Sequence, residues 1–189
     1  MRKLVLFMHV SLDGYASDLN GGLGWIPYNE ELEKYAEEIV AEVGSPVYGR
    51  TTYRMMEGYW PTMLDNPDAS THELEHAKWL QDVKKIVISD TMDKVEWNNT
   101  MLIKDNIAEE FKALKEQPGK NLVIFGSPGA AKTLLELGLI DEFMLTICPV
   151  ILGGGNSVFH GDGEKTKLKL LSSRTFESGI IAARYEVEK

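Results

Sequence analysis

Cysteine is almost missing from this chain: Cys148 is its one thiol. That excludes an internal disulfide framework and any metal site built on several thiolates, and it suits a reducing cytoplasm. Inside an apolar run, Cys148 itself reads as a small buried residue. Basic charge is also scarce. Twenty Lys and Arg stand against 29 Asp and Glu, for a net charge of −9, and the basic residues form no run. No nucleic-acid partner is expected from such a pattern, although an acidic chain can still bind an anion locally. The apolar start from Met1 to Phe7 breaks at His9 and Asp13 and carries no small-residue cleavage site. It reads as the first strand of a cytoplasmic protein with no membrane partner, not as a secretion signal.

What is present fits one domain over residues 1–189, since 189 residues at 43% apolar content can build one well-packed core and fit poorly as two. Short apolar runs alternate with helical patterns, which predicts an α/β fold with a mostly parallel sheet flanked by helices. The expected strands are Lys3–His9, Pro46–Tyr48, Lys85–Ser89, Met101–Lys104, Asn121–Phe125 and Glu142–Ile151, the last interrupted by Pro149. Asn29 caps a helix whose Leu32, Tyr35, Ala36, Ile39, Val40 and Val43 repeat at helical spacing until Gly44. Ser70-Thr71-His72-Glu73 is a capping box for a helix to about Gln81, Asp105 caps a helix through Leu114, and Ser127-Pro128 opens one that closes at Gly138. Lys167–Leu170 and Ile180–Val187, joined at Ser178-Gly179, read as a C-terminal antiparallel hairpin. The least regular stretches, 13–28 and 58–67, are where binding groups are expected.

Three segments carry candidate chemistry. The strand ending at Phe125 empties into Gly126-Ser127-Pro128-Gly129-Ala130-Ala131-Lys132-Thr133. Glycine lets the backbone approach a ligand, and the free N–H groups and dipole of the following helix attract an anion. Taken mechanically, this is one residue from a nucleotide-triphosphate P-loop, and Asp141-Glu142 resembles a magnesium-holding pair. Pro128, however, deletes one N–H of such a loop, and the acidic pair follows while the same helix is still finishing. A dinucleotide pyrophosphate needs a less enclosing cradle. An ordinary turn, with Ser127 as cap and Pro128 at the first helical position, is the competing reading. In the second segment, Val47-Tyr48-Gly49-Arg50-Thr51-Thr52-Tyr53, arginine and hydroxyls open a helix. That combination suits the 2′-phosphate that separates NADPH from NADH, or else Thr51 or Thr52 simply caps. The third, Ser11-Leu12-Asp13-Gly14-Tyr15 followed by Gly21-Gly22-Leu23-Gly24-Trp25, places a carboxylate at a strand end beside a glycine-rich lid. Asp13 can protonate a substrate there, or form an Asp-Gly turn. His72 and His76, four apart, have no third ligand in sight, so no metal is expected. Trp60 follows the arginine loop and either lines a planar-substrate pocket or belongs to the core.

Taken in order, these segments resemble the dihydrofolate reductase-like family, in the branch related to the reductase domain of the bifunctional riboflavin-biosynthesis deaminase/reductase, the RibD C-terminal domain. The carriers are Ser11-Leu12-Asp13-Gly14, Gly49-Arg50-Thr51-Thr52-Tyr53, Ile124-Phe125-Gly126-Ser127, and Ile140-Asp141-Glu142-Phe143 leading to Pro149-Val150-Ile151-Leu152-Gly153-Gly154-Gly155. The resemblance implies a three-layer fold and NADPH held by Gly49, Arg50, Thr51, Thr52 and Ser89 and by Gly126, Ser127, Pro128, Gly129, Ala130 and Ala131. It implies Asp13 facing a small heterocyclic substrate, Tyr15 and Trp25 in a lid, and a homodimer. The activity it names first is reduction of the ribosylamino-uracil phosphate of riboflavin synthesis, followed by reduction of dihydrofolate or a small carbonyl compound. A nucleotide-binding module without turnover is a reading of another class. Two departures stand out: Phe125 occupies the position of the riboflavin-pathway glutamate, and Ser127 that of its second glycine.

Overall fold

The computed structural model describes residues 1–157, 159 and 165–188. In chain order it forms β1 (Leu4–Ser11), β2 (Tyr15–Ser17), α1 (Glu30–Glu42), β3 (Val43–Gly49), α2 (Arg50–Met63), α3 (Thr71–Asp82), β4 (Lys85–Ile88), β5 (Thr100–Ile103), α4 (Ile107–Glu116), β6 (Asn121–Phe125), α5 (Pro128–Glu136), β7 (Glu142–Cys148), β8 (Asn156–Ser157), β9 (Leu168–Thr175) and β10 (Ile181–Val187). Eight strands make one sheet in the order β5-β4-β3-β6-β1-β7-β10-β9, while β2 and β8 pair separately. The first six of that order run parallel, and β10 and β9 close the edge antiparallel. The expected α/β class and C-terminal hairpin are therefore present.

Strand β1 sits between β6 and β7, and its Leu4-Val5-Leu6-Phe7-Met8 run is buried on both faces, as a central parallel strand requires. One face packs Leu6, Ile124 and Val47 against Phe111 and Leu114 of α4 and Ala131 and Leu134 of α5. The other packs Val5, Phe7 and Val123 against Ile39 of α1, and Tyr48 and Val87 against Tyr53 of α2 and Leu80 of α3. Each such aliphatic or aromatic side chain contributes about 1.5–3 kcal/mol when fully buried. Three layers result.

Local departures from the expected boundaries have identifiable causes. Helix α1 is capped as expected, with Asn29 accepting from the Leu32 N–H at 3.0 Å, but no loop follows it. Val43, fully buried, already pairs opposite Asn121, so Gly44 lies within a bulged strand start instead of ending the helix. Helix α2 runs through Pro61 to Met63, where an irregular stretch was expected. The N-cap of α4 is Asn106 in the left-handed region at φ 50°, not Asp105, and asparagine tolerates that conformation. Buried Lys85 closes α3 by donating to the Leu80 carbonyl at 2.5 Å and the Val83 carbonyl at 3.1 Å, and burial lowers its pKa to about 8.

The acidic pair Asp141-Glu142 lies at the N-terminal end of β7, the edge opposite the strand ends where ligands of such sheets bind. Asp141 accepts from the Leu4 N–H at 2.8 Å and sits 2.5 Å from the Lys115 ammonium, while its own N–H donates to the Leu4 carbonyl at 2.9 Å. Glu142, almost fully buried, pairs with Lys3 and with Arg184. The pair staples β1, β7, β10 and α4 together, and the magnesium reading falls. Asp141→Ala is expected to lower unfolding free energy by about 3 kcal/mol, read as a lower urea midpoint at unchanged slope, because it strands the buried Lys115.

Candidate functional site

At the C-terminal ends of the parallel strands lies a cleft of about 690 Å³. One wall is the β3–α2 turn, Gly49, Arg50, Thr51 and Thr52, and the facing wall is the β6–α5 turn, Gly126 to Ala130. Ser89, Asp90 and Thr91 after β4 form one end, and Ala16, Ser17, Asn156 and Ser157 of the small β2–β8 sheet form the other.

Both helices that begin at this cleft begin uncapped. Neither Gly49 nor Ser127 makes a side-chain capping bond, and the first turns of α2 and α5 hold no acidic residue. Helices α1, α3 and α4 all carry Glu in their first turns. Carboxylates there satisfy the free N–H groups and the helix dipole, so the two bare ends keep their attraction for an anion. Ser127 fails to cap because its Oγ instead accepts the Gly49 N–H at 2.8 Å, tying one wall to the other. A Cβ at residue 49 would come within 3.1 Å of that oxygen, so glycine keeps the walls in contact.

Arg50 donates to Thr91 Oγ1 at 2.9 Å, which holds the guanidinium over the β4 end beside exposed Asp90. Ten of the eleven residues expected around a nucleotide line the cleft. The exception is Ala131, which is fully buried, packed into the core with Leu134, and hydrogen-bonded through its N–H to the Ser127 carbonyl at 2.9 Å. Its methyl faces the sheet because the helix has already turned away. Lys132 and Thr133, at the end of the Gly126–Thr133 segment, and Asp90 and Thr91, just after Ser89, line the cleft without having been singled out as ligands. Asn156 and Ser157 carried no sequence signal.

Asp13 lies outside the cleft lining. Its carboxylate accepts from Ser11 Oγ at 2.7 Å, the Leu152 N–H at 3.1 Å and the Gly153 N–H at 2.8 Å. These bonds, that of Ser11 foremost, hold its pKa below the usual carboxylate range and favour the ionised form that accepts them. It pins the segment after β7 against the β1–β2 turn. Asn156 Nδ2 donates to Ser17 Oγ at 2.7 Å in the same seam, where a Cβ on Gly155 would lie 1.9 Å from the Ser17 carbonyl oxygen. Tyr15 opens β2 opposite Ser157 and does not line the cleft, whereas its neighbours Ala16 and Ser17 do. Trp25 is likewise outside it: its indole N–H donates to the Gly22 carbonyl at 3.1 Å, and its ring packs with Leu32, Cys148 and Ile180. The lid residues nearest the cleft are Gly21 and Leu23.

The sequence profile of the RibD C-terminal domain matches residues 2–182. The chain belongs to the RibD C-terminal domain family. It is 33% identical over 184 residues to the uncharacterized protein YyaP of Bacillus subtilis (strain 168), spanning 97% of this chain and 94% of that protein. A structure from Shewanella sp. PV-4, described as a candidate riboflavin biosynthesis protein, superposes with a TM-score of 0.77 at 22% identity over 99% of both chains. Dihydrofolate reductase from Enterococcus faecalis, complexed with NADP(H) and RAB-propyl, gives 0.62 at 14% identity over 99% of this chain and 97% of that one. The three-layer architecture is thus shared with dihydrofolate reductase.

A second feature of this RibD C-terminal domain adjoins the cleft on the α1–α3 face. Phe125, one residue before cleft-lining Gly126, meets Phe7 at 5.7 Å between ring centroids, Trp79 at 6.0 Å and His76 at 6.2 Å. Trp60 stacks 4.3 Å from His76, so it joins this ring cluster and not the cleft wall. His9, 5.2 Å from Phe7, hydrogen-bonds through Nδ1 with Thr146. His9 and His76 both stay partly accessible, yet burial lowers each pKa to about 4, so both imidazoles are neutral near pH 7. Among the described residues no group of three or more His, Cys, Asp and Glu could hold a metal ion.

Two outcomes follow from these contacts. In Asp13→Ala the Leu152 and Gly153 amides should exchange with deuterium about tenfold faster or more, a change that loss of a mere proton donor would not produce. The histidines set a pH window. Above their ordinary value of 6.5 both folded and unfolded chains hold them neutral, and between about 6.5 and about 4 only the unfolded chain takes up the protons. Stability should therefore fall across that window by up to roughly 3 kcal/mol per histidine. Thermal midpoints at pH 7 and 4.5 should differ less in the His9→Gln/His76→Gln double variant than in the wild type.

Proposed function

We propose that this protein is an NADPH-dependent reductase of a small planar heterocycle. The observation that carries the reading is the pair of uncapped helix N-termini, free of acidic residues and joined by the Ser127–Gly49 hydrogen bond, with Arg50 beside them. Free N–H groups of α2 and α5 suit a pyrophosphate, and Arg50 with Thr51 and Thr91 suits a 2′-phosphate. Gly49 leaves the backbone bare where a Cβ would fill the cradle. Bound there, the nicotinamide cofactor supplies hydride to a C=N or carbonyl-type carbon.

What the chain itself contributes is orientation and exclusion of water. The β2–β8 seam, clamped by Asp13, closes the nicotinamide end of the cleft, and Phe125, met edge-on by Phe7, His76 and Trp79, offers an aromatic face one residue from Gly126. His9, neutral and anchored on Thr146, orients substrate by hydrogen bonding and does not serve as a strong acid.

Asp90 favours a second reading, in which a ribose 2′-hydroxyl binds and NADH is used. Calorimetric titration separates the two. NADPH should bind more tightly than NADH. Arg50→Ala should weaken NADPH about tenfold or more while barely moving NADH, and Asp90→Asn should tighten NADPH. Tighter NADH binding would transfer the assignment to that cofactor, and binding of neither would end the reductase reading.

A further inference from the structure

The ring cluster beside the cleft has a charge pattern that discriminates among heterocycles. Its inner part joins Phe7 and His9 of β1, Phe125 of β6, His76 and Trp79 of α3, and Trp60 of α2. His9 and His76 are crowded enough to lose affinity for protons yet keep partial exposure beside the other rings. His9 has one ring nitrogen on Thr146 and, among the described residues, no partner for the other.

The rim is acidic. Tyr59, 5.1 Å from Trp60, donates its hydroxyl to Glu73 at 2.8 Å, and His72 at the start of α3 meets Glu37 of α1 at 2.8 Å. Tyr28, on the chain entering α1, is held protonated to higher pH by its burial and then by Glu33, Glu37, Tyr59 and Glu73. Three cations nearby in sequence form ion pairs of their own: Lys34 with Glu30, Arg54 with Glu57, and Arg174 with Glu38. The uncommitted attraction for anions sits at Arg50 and the helix ends of the cleft instead.

Building on the reductase reading, we infer that the substrate is a planar heterocycle without a phosphate group, its ring on the Phe125–Trp60–His76 surface and its substituents toward Glu33, Glu37 and Glu73. A phosphate monoester carries about −1.5 to −2 charges at neutral pH and would meet the carboxylates of Glu33, Glu37 and Glu73 at that rim. A ring bearing amino groups would find acceptors there and an imidazole nitrogen below. The first activity named by the family resemblance, with its phosphorylated substrate, is therefore the one this rim disfavours.

The test is calorimetry on NADPH-saturated protein with a matched pair, 5-amino-6-ribitylaminouracil and its 5′-phosphate, which differ only in the phosphate. The unphosphorylated member should bind at least about tenfold more tightly. Glu33→Lys/Glu37→Lys should shrink that gap, whereas Trp60→Leu should weaken both members alike. Equal or tighter binding of the phosphate by wild type overturns the inference. So does binding of neither while NADPH still binds, which leaves the reductase reading standing. Failure to bind NADPH at all sinks that reading first.

Discussion

The hydrogen bond from the Gly49 N–H to Ser127 Oγ is the contact on which the site depends, because it joins two turns that the sheet alone only brings near each other. Parallel strands β3 and β6 are neighbours, so both turns emerge at the same edge, but their spacing is open to the length of each turn. The serine fixes it. It does so at a cost, since the same oxygen would otherwise cap α5, and an N-terminus left without its cap forgoes about 1 kcal/mol. That loss is what creates the binding feature. Helices with glutamates in their first turns would present an edge of the sheet with little pull on an anion, and α1 and α3, which are also capped, together with α4 show that this chain builds such helices elsewhere.

Global and local electrostatics point in opposite directions here, and the local term decides. A chain of net charge −9 repels anions at long range, and that repulsion is screened over a Debye length of about 8 Å at physiological ionic strength. Two helix ends and one arginine within a cleft act at contact distance, where screening by mobile ions is weak. The acidic surplus on α1 and at the start of α3 then does something different. It surrounds the neighbouring ring surface with carboxylates, so that one edge of the sheet offers an anion site and an anion-averse site side by side.

The sequence made legible whatever is written in contiguous residues. Each parallel strand is a short apolar run, each glycine-bearing turn after a strand marks the same edge, and the order of the motifs by itself points to the family. Boundaries slipped where tertiary contact overrode local preference. Val43 left its helical repeat because it pairs with Asn121, and α2 passed through Pro61 because only one N–H is lost there while Trp60 packs. What was not legible was direction. Asp13 and Trp25 looked like substrate groups from their neighbours in sequence, yet one carboxylate faces the backbone of Leu152 and Gly153 and one indole faces the Cys148 cluster. Ala131 failed for the same reason: one helical residue beyond Ala130 the side chain has rotated about 100° into the core. Asn156 and Ser157 reach the cleft only through a pairing with β2 that no local pattern announces.

Strand β7 shows how such a scaffold can change substrates without changing fold. At its start, Asp141 and Glu142 are committed to Leu4, Lys115, Lys3 and Arg184, and loss of any of these strands a buried charge or an N–H. At its far end, Thr146 supports His9 and the chain leaves for the Asp13 clamp. The first set holds the sheet together, and the second only shapes what lies above it. Replacing the acidic residue of the riboflavin-pathway pattern by Phe125 therefore costs the fold nothing, since the ring is taken up by Phe7, Trp79 and His76. It puts an aromatic ring where the riboflavin-pathway pattern has a charge, while the second departure, Ser127, supplies the oxygen that ties the two turns together. The two departures from the family pattern thus share one turn but face different ways, Phe125 into the ring cluster and Ser127 across the cleft to Gly49.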